Sequence, residues 1–131
     1  MGAPPGFEKP LRVLIVDDNR ALTSSLGWLL EEHMFDVATC HNGPECLELA
    51  GVFAPDVILL DIGLPVMDGF HVCRTLRDDP QFNGTRIVAQ TGYGDDATIA
   101  RAAAAGFDVH LTKPVEFSAL LELLKDLSSD D

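Results

Sequence analysis

The side chains that phosphoryl chemistry needs are spread along this chain: the adjacent carboxylates Asp17 and Asp18, the carboxylate Asp61, the hydroxyl of Thr91 and the ammonium of Lys113. Each stands at or just past the end of a short apolar run. In the stretch PDVILLDIGLPVMDG, from Pro55 to Gly69, the run Val57-Ile58-Leu59-Leu60 leads straight into Asp61. A strand that apolar is buried on both faces, so its last residue sits at the rim of a low-dielectric core, where a bare carboxylate needs a reason. Several carboxylates at one rim repel one another unless a cation sits among them. Oxygen donors with no His or Cys pair nearby select a hard ion, and Mg2+ keeps several waters while using one or two carboxylates plus phosphate oxygens. The set therefore suits phosphoryl transfer, which depends on positioning and on neutralising the equatorial oxygens. Asp61 would be the nucleophile, forming an aspartyl-phosphate. Lys113 would meet one phosphate oxygen, Thr91 another, and magnesium the third.

For these residues to meet, the elements that carry them must end at one edge. Short apolar runs alternate with helix-periodic segments from Leu11 to about Leu127, the pattern of stacked βα units. Strands are expected over Leu11 to Val16, Phe35 to Thr39, Val57 to Leu60, Arg86 to Gln90 and Asp108 to Leu111. Asn19 caps a first helix whose Leu22, Leu26, Leu29 and Leu30 share a face. A second helix runs from roughly Pro44 to Phe53, and a third starts near Asp68-Gly69, where Met67, Asp68 and Gly69 form the turn. Asp95 caps an alanine-rich helix that stops at Gly106, and Leu120, Leu121, Leu124 and Leu127 give the last helix its buried face. Parallel strands need crossover helices, so all strand C-termini share an edge, and in such sheets ligands bind outside that edge at the switch point in strand order.

The chain's 131 residues suit one compact domain, expected over 11–127, with a flexible N-terminal tail at 1–10 and a C-terminal tail at 128–131. Nine Lys and Arg against 21 Asp and Glu give a net charge of -12, which repels a phosphate backbone and argues against direct nucleic-acid binding. Cys40, Cys46 and Cys73 lack CxxC spacing, so neither a disulfide framework nor a zinc site is indicated, and a reduced cytoplasm is the expected location. No run approaches the roughly 18 apolar residues of a membrane span. His33, His41 and His71 show no ligand spacing and read as surface or packing residues.

LIVDDN at Leu14 to Asn19, LLDIGLPVMDG at Leu59 to Gly69, QTGYG at Gln90 to Gly94 and LTKPV at Leu111 to Val115 closely resemble the receiver domain of two-component response regulators. Any one motif is weak; their order, each at a strand end, is specific. The resemblance spans about Arg12 to Leu127 and implies a flavodoxin-like, doubly wound α/β sheet in the order 2-1-3-4-5 with five helices. It implies Asp61 as phosphoacceptor, Asp17 and Asp18 as the acidic pair, the Gly63 carbonyl as a further Mg2+ ligand, Thr91 as the switch hydroxyl, Lys113 as the phosphate-binding lysine and a cis peptide between Lys113 and Pro114. The partner it implies is a sensor histidine kinase or a histidine phosphotransfer protein carrying phosphohistidine. A homodimer through the face of the fourth helix, fifth strand and fifth helix is one arrangement it allows.

Departures from the family pattern concern tuning. His110 stands where an aromatic ring usually reports the threonine's movement. Two readings stand: a switching imidazole sensitive near neutral pH, or an exposed strand-end residue. Gly92 replaces the more usual alanine and adds backbone freedom. Gly63 offers no side chain over the phosphate, whereas Tyr93 is expected to shield it, so Tyr93→Ala should change the lifetime of phospho-Asp61. Trp28 lies off the leucine face of the first helix, as a donor contact or a structural one.

A haloacid dehalogenase-type phosphatase also uses an aspartate nucleophile, a hydroxyl, a lysine and magnesium. It requires a second acid two residues after the nucleophile, and that residue is Gly63. A flavin- or nucleotide-binding module would place a phosphate after the first strand, where Asp17 and Asp18 would repel it. The expected activity is thus a phosphorylatable signalling module with weak self-phosphorylation and self-dephosphorylation. Little sequence follows the last helix, so no effector region is expected in this chain. The wording GFDVHLTKPV leans toward the receiver of a hybrid sensor kinase, with a stand-alone single-domain regulator as the alternative.

Overall fold

The computed structural model describes residues 9–92 and 94–128. The expected tails at 1–10 and 128–131 therefore lie mostly outside the described residues, as does Tyr93. The described chain alternates β1 (Arg12–Val16), α1 (Arg20–Glu32), β2 (Asp36–Cys40), α2 (Gly43–Phe53), β3 (Val57–Asp61), α3 (Gly69–Arg77), β4 (Arg86–Thr91), α4 (Asp96–Ala105), β5 (Val109–Thr112) and α5 (Phe117–Ser128). A short 3-10 turn at Pro80–Phe82, which carries no strong sequence signal, joins α3 to β4.

The strands form one parallel sheet in the order β2-β1-β3-β4-β5, the doubly wound flavodoxin-like arrangement. Alternate residues of each strand feed different layers, as the period of two demands. Val13, Ile15, Val57, Leu59 and Val88 pack with Leu30 of α1 and Leu120 and Leu124 of α5. Leu14, Val16, Ile58, Leu60, Ile87 and Ala89 pack with α2, α3 and α4 through Cys46, Ala50, Val72, Leu76, Ala102 and Ala105. Burial on both faces is why the central strands read as unbroken apolar runs; each fully buried Leu or Ile contributes about 1.5–3 kcal/mol.

Helix starts follow the expected chemistry in part. The Asn19 side chain accepts from the Leu22 amide at 3.1 Å, and Asp68 accepts from His71 at 2.9 Å. Asp95 occupies the cap position of α4 but makes no side-chain cap bond. Gly106 ends α4 at φ 109°, a left-handed conformation that suits glycine.

The expected leucine face of α1 is rotated. Its buried residues are Thr23, Gly27 and Leu30, while Leu22 is 38% exposed. A Cβ on Gly27 would lie 3.5 Å from Val37 Cγ1 and 3.6 Å from Thr39 Cγ2. The helix thus approaches β2 along its smallest residue, which turns Leu22 outward. The last helix keeps its expected stripe, with Leu120 and Leu124 buried and Leu121 and Leu127 half-buried.

At the sheet's opposite edge Arg77 ties distant segments together. Its guanidinium donates to the carbonyls of Gly106, Phe82 and Thr85 at 2.9, 3.0 and 2.9 Å and to Asp108 at 2.6 Å.

Candidate functional site

Because the strands are parallel, β1, β3, β4 and β5 deliver their C-termini to one edge, and the register fixes who meets whom. Val16 lies beside Leu60, Asp61 beside Gln90, and Thr91 beside Thr112. Asp17 and Asp61 therefore emerge as neighbours at the switch point between β1 and β3. Both are buried, at 1% and 7% exposure, whereas Asp18 is exposed.

Each buried carboxylate is held at both oxygens. Asp17 Oδ1 accepts from the Asn19 amide at 2.9 Å, and Asp61 Oδ1 accepts from the Gly63 amide at 2.9 Å. The other oxygens, both Oδ2, accept from Lys113 Nζ at 3.0 Å. Lys113 reaches them from the turn after β5, where its peptide bond to Pro114 is cis, as the resemblance implied. Partial burial disfavours the ammonium, but hydrogen bonds and charge from Asp17 and Asp61 outweigh it, so the Lys113 pKa is raised.

Oxygens of Asp17, Asp18 and Asp61 all lie within 4.8 Å of one another. Three carboxylates against one ammonium leave two negative charges, and every donor is a hard oxygen. That donor set fits a divalent cation such as Mg2+, with Asp18 open to solvent and thus to a hydrated ion. Among the described residues, no His or Cys joins this cluster. His33 and His71 are exposed, and His41 contacts Thr23 and Glu45.

Thr91 is buried at the end of β4 and, with Asp61 and Gly63, lines a cavity of about 350 Å³. The loop after Asp61 is tightly constrained. Met67 N donates to Pro65 O at 2.8 Å across Val66, whose φ is 71°. Gly69 N then donates to Ile62 O at 2.9 Å, and a Cβ on Gly69 would fall 2.6 Å from the Asp61 carbonyl. Gly69 is thus what lets α3 begin directly against the strand carrying Asp61.

His110 is half-buried on β5 beside a cavity of about 200 Å³ lined by Ile99, Ala102 and Ala103 of α4. Trp28 is 62% exposed on α1. Two features carry no local sequence signal. Gln90 Nε2 is buried with no hydrogen-bond partner, in a residue that lines a cavity with Leu22 and Leu26 of α1 and with Pro114 and Val115. Arg101 of α4 lines the same cavity as Asp61. By type and spacing the first is one more strand residue and the second a solvated helix position.

Residues 13–125 match the family model described as the response regulator receiver domain. The chain belongs to that family. It is 38% identical over 120 residues to the response regulator PleD of Caulobacter vibrioides, covering 89% of this chain and 26% of PleD. It is 33% identical over 114 residues to the signal transduction histidine-protein kinase BarA of Escherichia coli, covering 87% of this chain and 12% of BarA. Among solved structures, the chemotaxis response regulator CheY4 of Vibrio cholerae superposes with a TM-score of 0.85 at 29% identity, covering 90% of this chain and 98% of that one. The chain thus spans about a quarter or less of those two curated relatives. No described helix is long and apolar enough to cross a membrane.

Proposed function

We propose that this receiver domain, residues 11–127, is the phosphoacceptor of a phosphorelay and that Asp61 carries the phosphoryl group. An Asp61 oxygen attacks phosphorus on a phosphohistidine of a sensor kinase or phosphotransfer protein; the P–N bond breaks and its electron pair leaves with the imidazole. The observation that carries this reading is the Lys113 ammonium 3.0 Å from both Asp17 and Asp61, a cation already seated where phosphate charge must arrive. Thr91, which lines the same cavity as Asp61, would donate its hydroxyl to a second phosphate oxygen. Asp17, Asp18, Asp61 and the Gly63 carbonyl would hold Mg2+, which supplies charge neutralisation at the remaining oxygen. His110, which lines a separate cavity against α4, would act as the residue that follows Thr91's movement, and Tyr93 would control water access and so the slow self-dephosphorylation.

In its natural context we place this domain in a hybrid histidine kinase of cytoplasmic location, with a stand-alone regulator as the second reading; similarity to BarA supports the first and to the small CheY4 the second. Pairing of two copies through α4, β5 and α5 is a further expectation. The test of the central claim is incubation with phosphoramidate and Mg2+ followed by intact-mass and peptide analysis. The expected result is one phosphoryl group on Asp61, lost in Asp61→Asn and on chelation of magnesium. Full labelling of Asp61→Asn, or label on another residue, overturns the assignment.

A further inference from the structure

The cavity beside Asp61 extends away from the strand ends to α4, where Ala97 and Arg101 complete its lining. Two of its lining residues, Gly63 and Gly92, bring no side chain to it. A Cβ at Gly92 would meet nothing within 4 Å, and one at Gly63 would meet only Asp61 Oδ1, at 3.6 Å. At the α4 end the Arg101 guanidinium lies 4.0 Å from the ring centroid of buried Phe70, a stacking contact that limits the freedom of an otherwise exposed side chain. A carboxylate nucleophile and a guanidinium therefore share one open space, in a chain whose net charge of -12 otherwise repels small anions.

We propose that Arg101 forms a subsite for the departing carboxylate of acyl phosphates, so that it decides how well this domain accepts phosphate from such donors. The inference rests on Asp61 being the nucleophile. In transfer from an acyl phosphate, an Asp61 oxygen bonds to phosphorus, the P–O bond to the acyl group breaks, and the electron pair departs on a carboxylate. Asp61 becomes the new mixed anhydride, and no proton moves. Negative charge grows on the leaving oxygen, on the side of phosphorus away from Asp61, and a guanidinium matches a carboxylate with paired N–H donors. From phosphoramidate already protonated on nitrogen the leaving group is ammonia, and from phosphohistidine protonated on the ring's other nitrogen it is neutral imidazole; neither departs as an anion, so Arg101 gives them no comparable help. Arg101 thus separates acyl-phosphate input from phosphohistidine input at the same aspartate.

The experiment measures initial rates of Asp61 phosphorylation against donor concentration, with acetyl phosphate and with phosphoramidate, for the full chain, Arg101→Gln and Arg101→Lys, all with Mg2+. Arg101 is exposed, so the variants should fold, and the phosphoramidate rate serves as an internal control. The expected result is a fall of roughly three- to fivefold with acetyl phosphate in Arg101→Gln, the scale of a partly solvated ion pair. Phosphoramidate should be unaffected, and Arg101→Lys should retain more acetyl phosphate reactivity than Arg101→Gln. Equal falls with both donors, or no fall with acetyl phosphate, overturn the inference while leaving Asp61 as phosphoacceptor. Uptake from phosphoramidate that persists in Asp61→Asn overturns the assignment on which the inference rests.

Discussion

Replacing Lys113 with methionine removes the ammonium and keeps most of the stem, and the structure sets the size of the effect. Nζ lies 3.0 Å from both Asp17 Oδ2 and Asp61 Oδ2, so at an effective dielectric near 20 each contact is a gross attraction of about 5.5 kcal/mol. The carboxylate oxygens within 4.8 Å of one another repel by about 3.5 kcal/mol per pair on the same scale. Most of this is offset by desolvation, and the Lys113 side chain is 31% exposed, so water takes over part of its role. Loss of one partner from a buried pair costs about 3–5 kcal/mol; discounted for that exposure, Lys113→Met should lower stability without metal by about 2 kcal/mol.

Magnesium should then behave differently in the two proteins. Wild type presents two net negative charges at the site and the variant presents three, so the variant should bind the dication more tightly. Stabilisation by a bound ligand grows by about 1.4 kcal/mol for each tenfold gain in affinity once the ligand is in excess. The stability gap seen in EDTA should therefore close to under about 1 kcal/mol in millimolar Mg2+ if affinity rises about tenfold. Urea unfolding followed by circular dichroism measures both gaps; Trp28, already 62% exposed, is a poor fluorescent reporter. If Lys113→Met is as stable as wild type in EDTA, or Mg2+ leaves the gap unchanged, the charge accounting of this site is wrong.

Gln90→Leu should stabilise the fold by about 1 kcal/mol, because it replaces an amide whose Nε2 is buried without a partner; a lower urea midpoint would contradict this. Gly69→Ala should destabilise by about 2–3 kcal/mol and slow phosphoryl uptake, since its Cβ would press within 2.6 Å of Asp61 O and 2.7 Å of Ile62 Cα; a thermal scan and a labelling rate check both. The cysteines should resist thiol reagents at pH 8 until urea unfolds the chain. All three are buried, burial pushes the Cys73 thiol up to about 11, and a hydrogen bond with Cys40 together with burial pushes Cys46 up as well. Rapid labelling in native buffer would count against that packing.

The parts legible in the sequence are those set by short-range physics. Val57 to Leu60 announce a strand covered on both faces because every residue, not every second one, is apolar, and strand ends follow from where charge begins. Asp17, Asp61 and Lys113 group together from sequence alone because parallel topology leaves them one edge to share. What is illegible depends on how closely elements approach. Leucines at helical spacing usually face a core, yet α1 seats Gly27 against Val37 and Thr39 and rolls Leu22 into solvent. The bond from Arg77 to Asp108 spans 31 positions, so no local pattern signals it. Arg101 has the sequence profile of a surface residue; only the cavity that α4 shares with the end of β3 shows what it faces.

The same charge accounting bears on reversibility. Without a dication the site already carries two surplus negative charges, and phosphorylation replaces the single charge of the Asp61 carboxylate with the roughly 1.5–2 of an acyl phosphate, a net gain of about 0.5–1 that has little to hold it except Lys113 and the Thr91 hydroxyl. With Mg2+ at the acids the surplus is cancelled before phosphate arrives, and the incoming charge is met by the metal and the ammonium together. On the proposed roles, metal and phosphoryl group therefore favour each other, and the coupling must be reciprocal: whatever factor phosphorylation adds to magnesium affinity, magnesium adds to the equilibrium for phosphoryl uptake. The buried placement of Asp17 and Asp61 beside an exposed Asp18 suits this arrangement, since two fixed acids set the charge while the third stays open to a hydrated ion that must come and go.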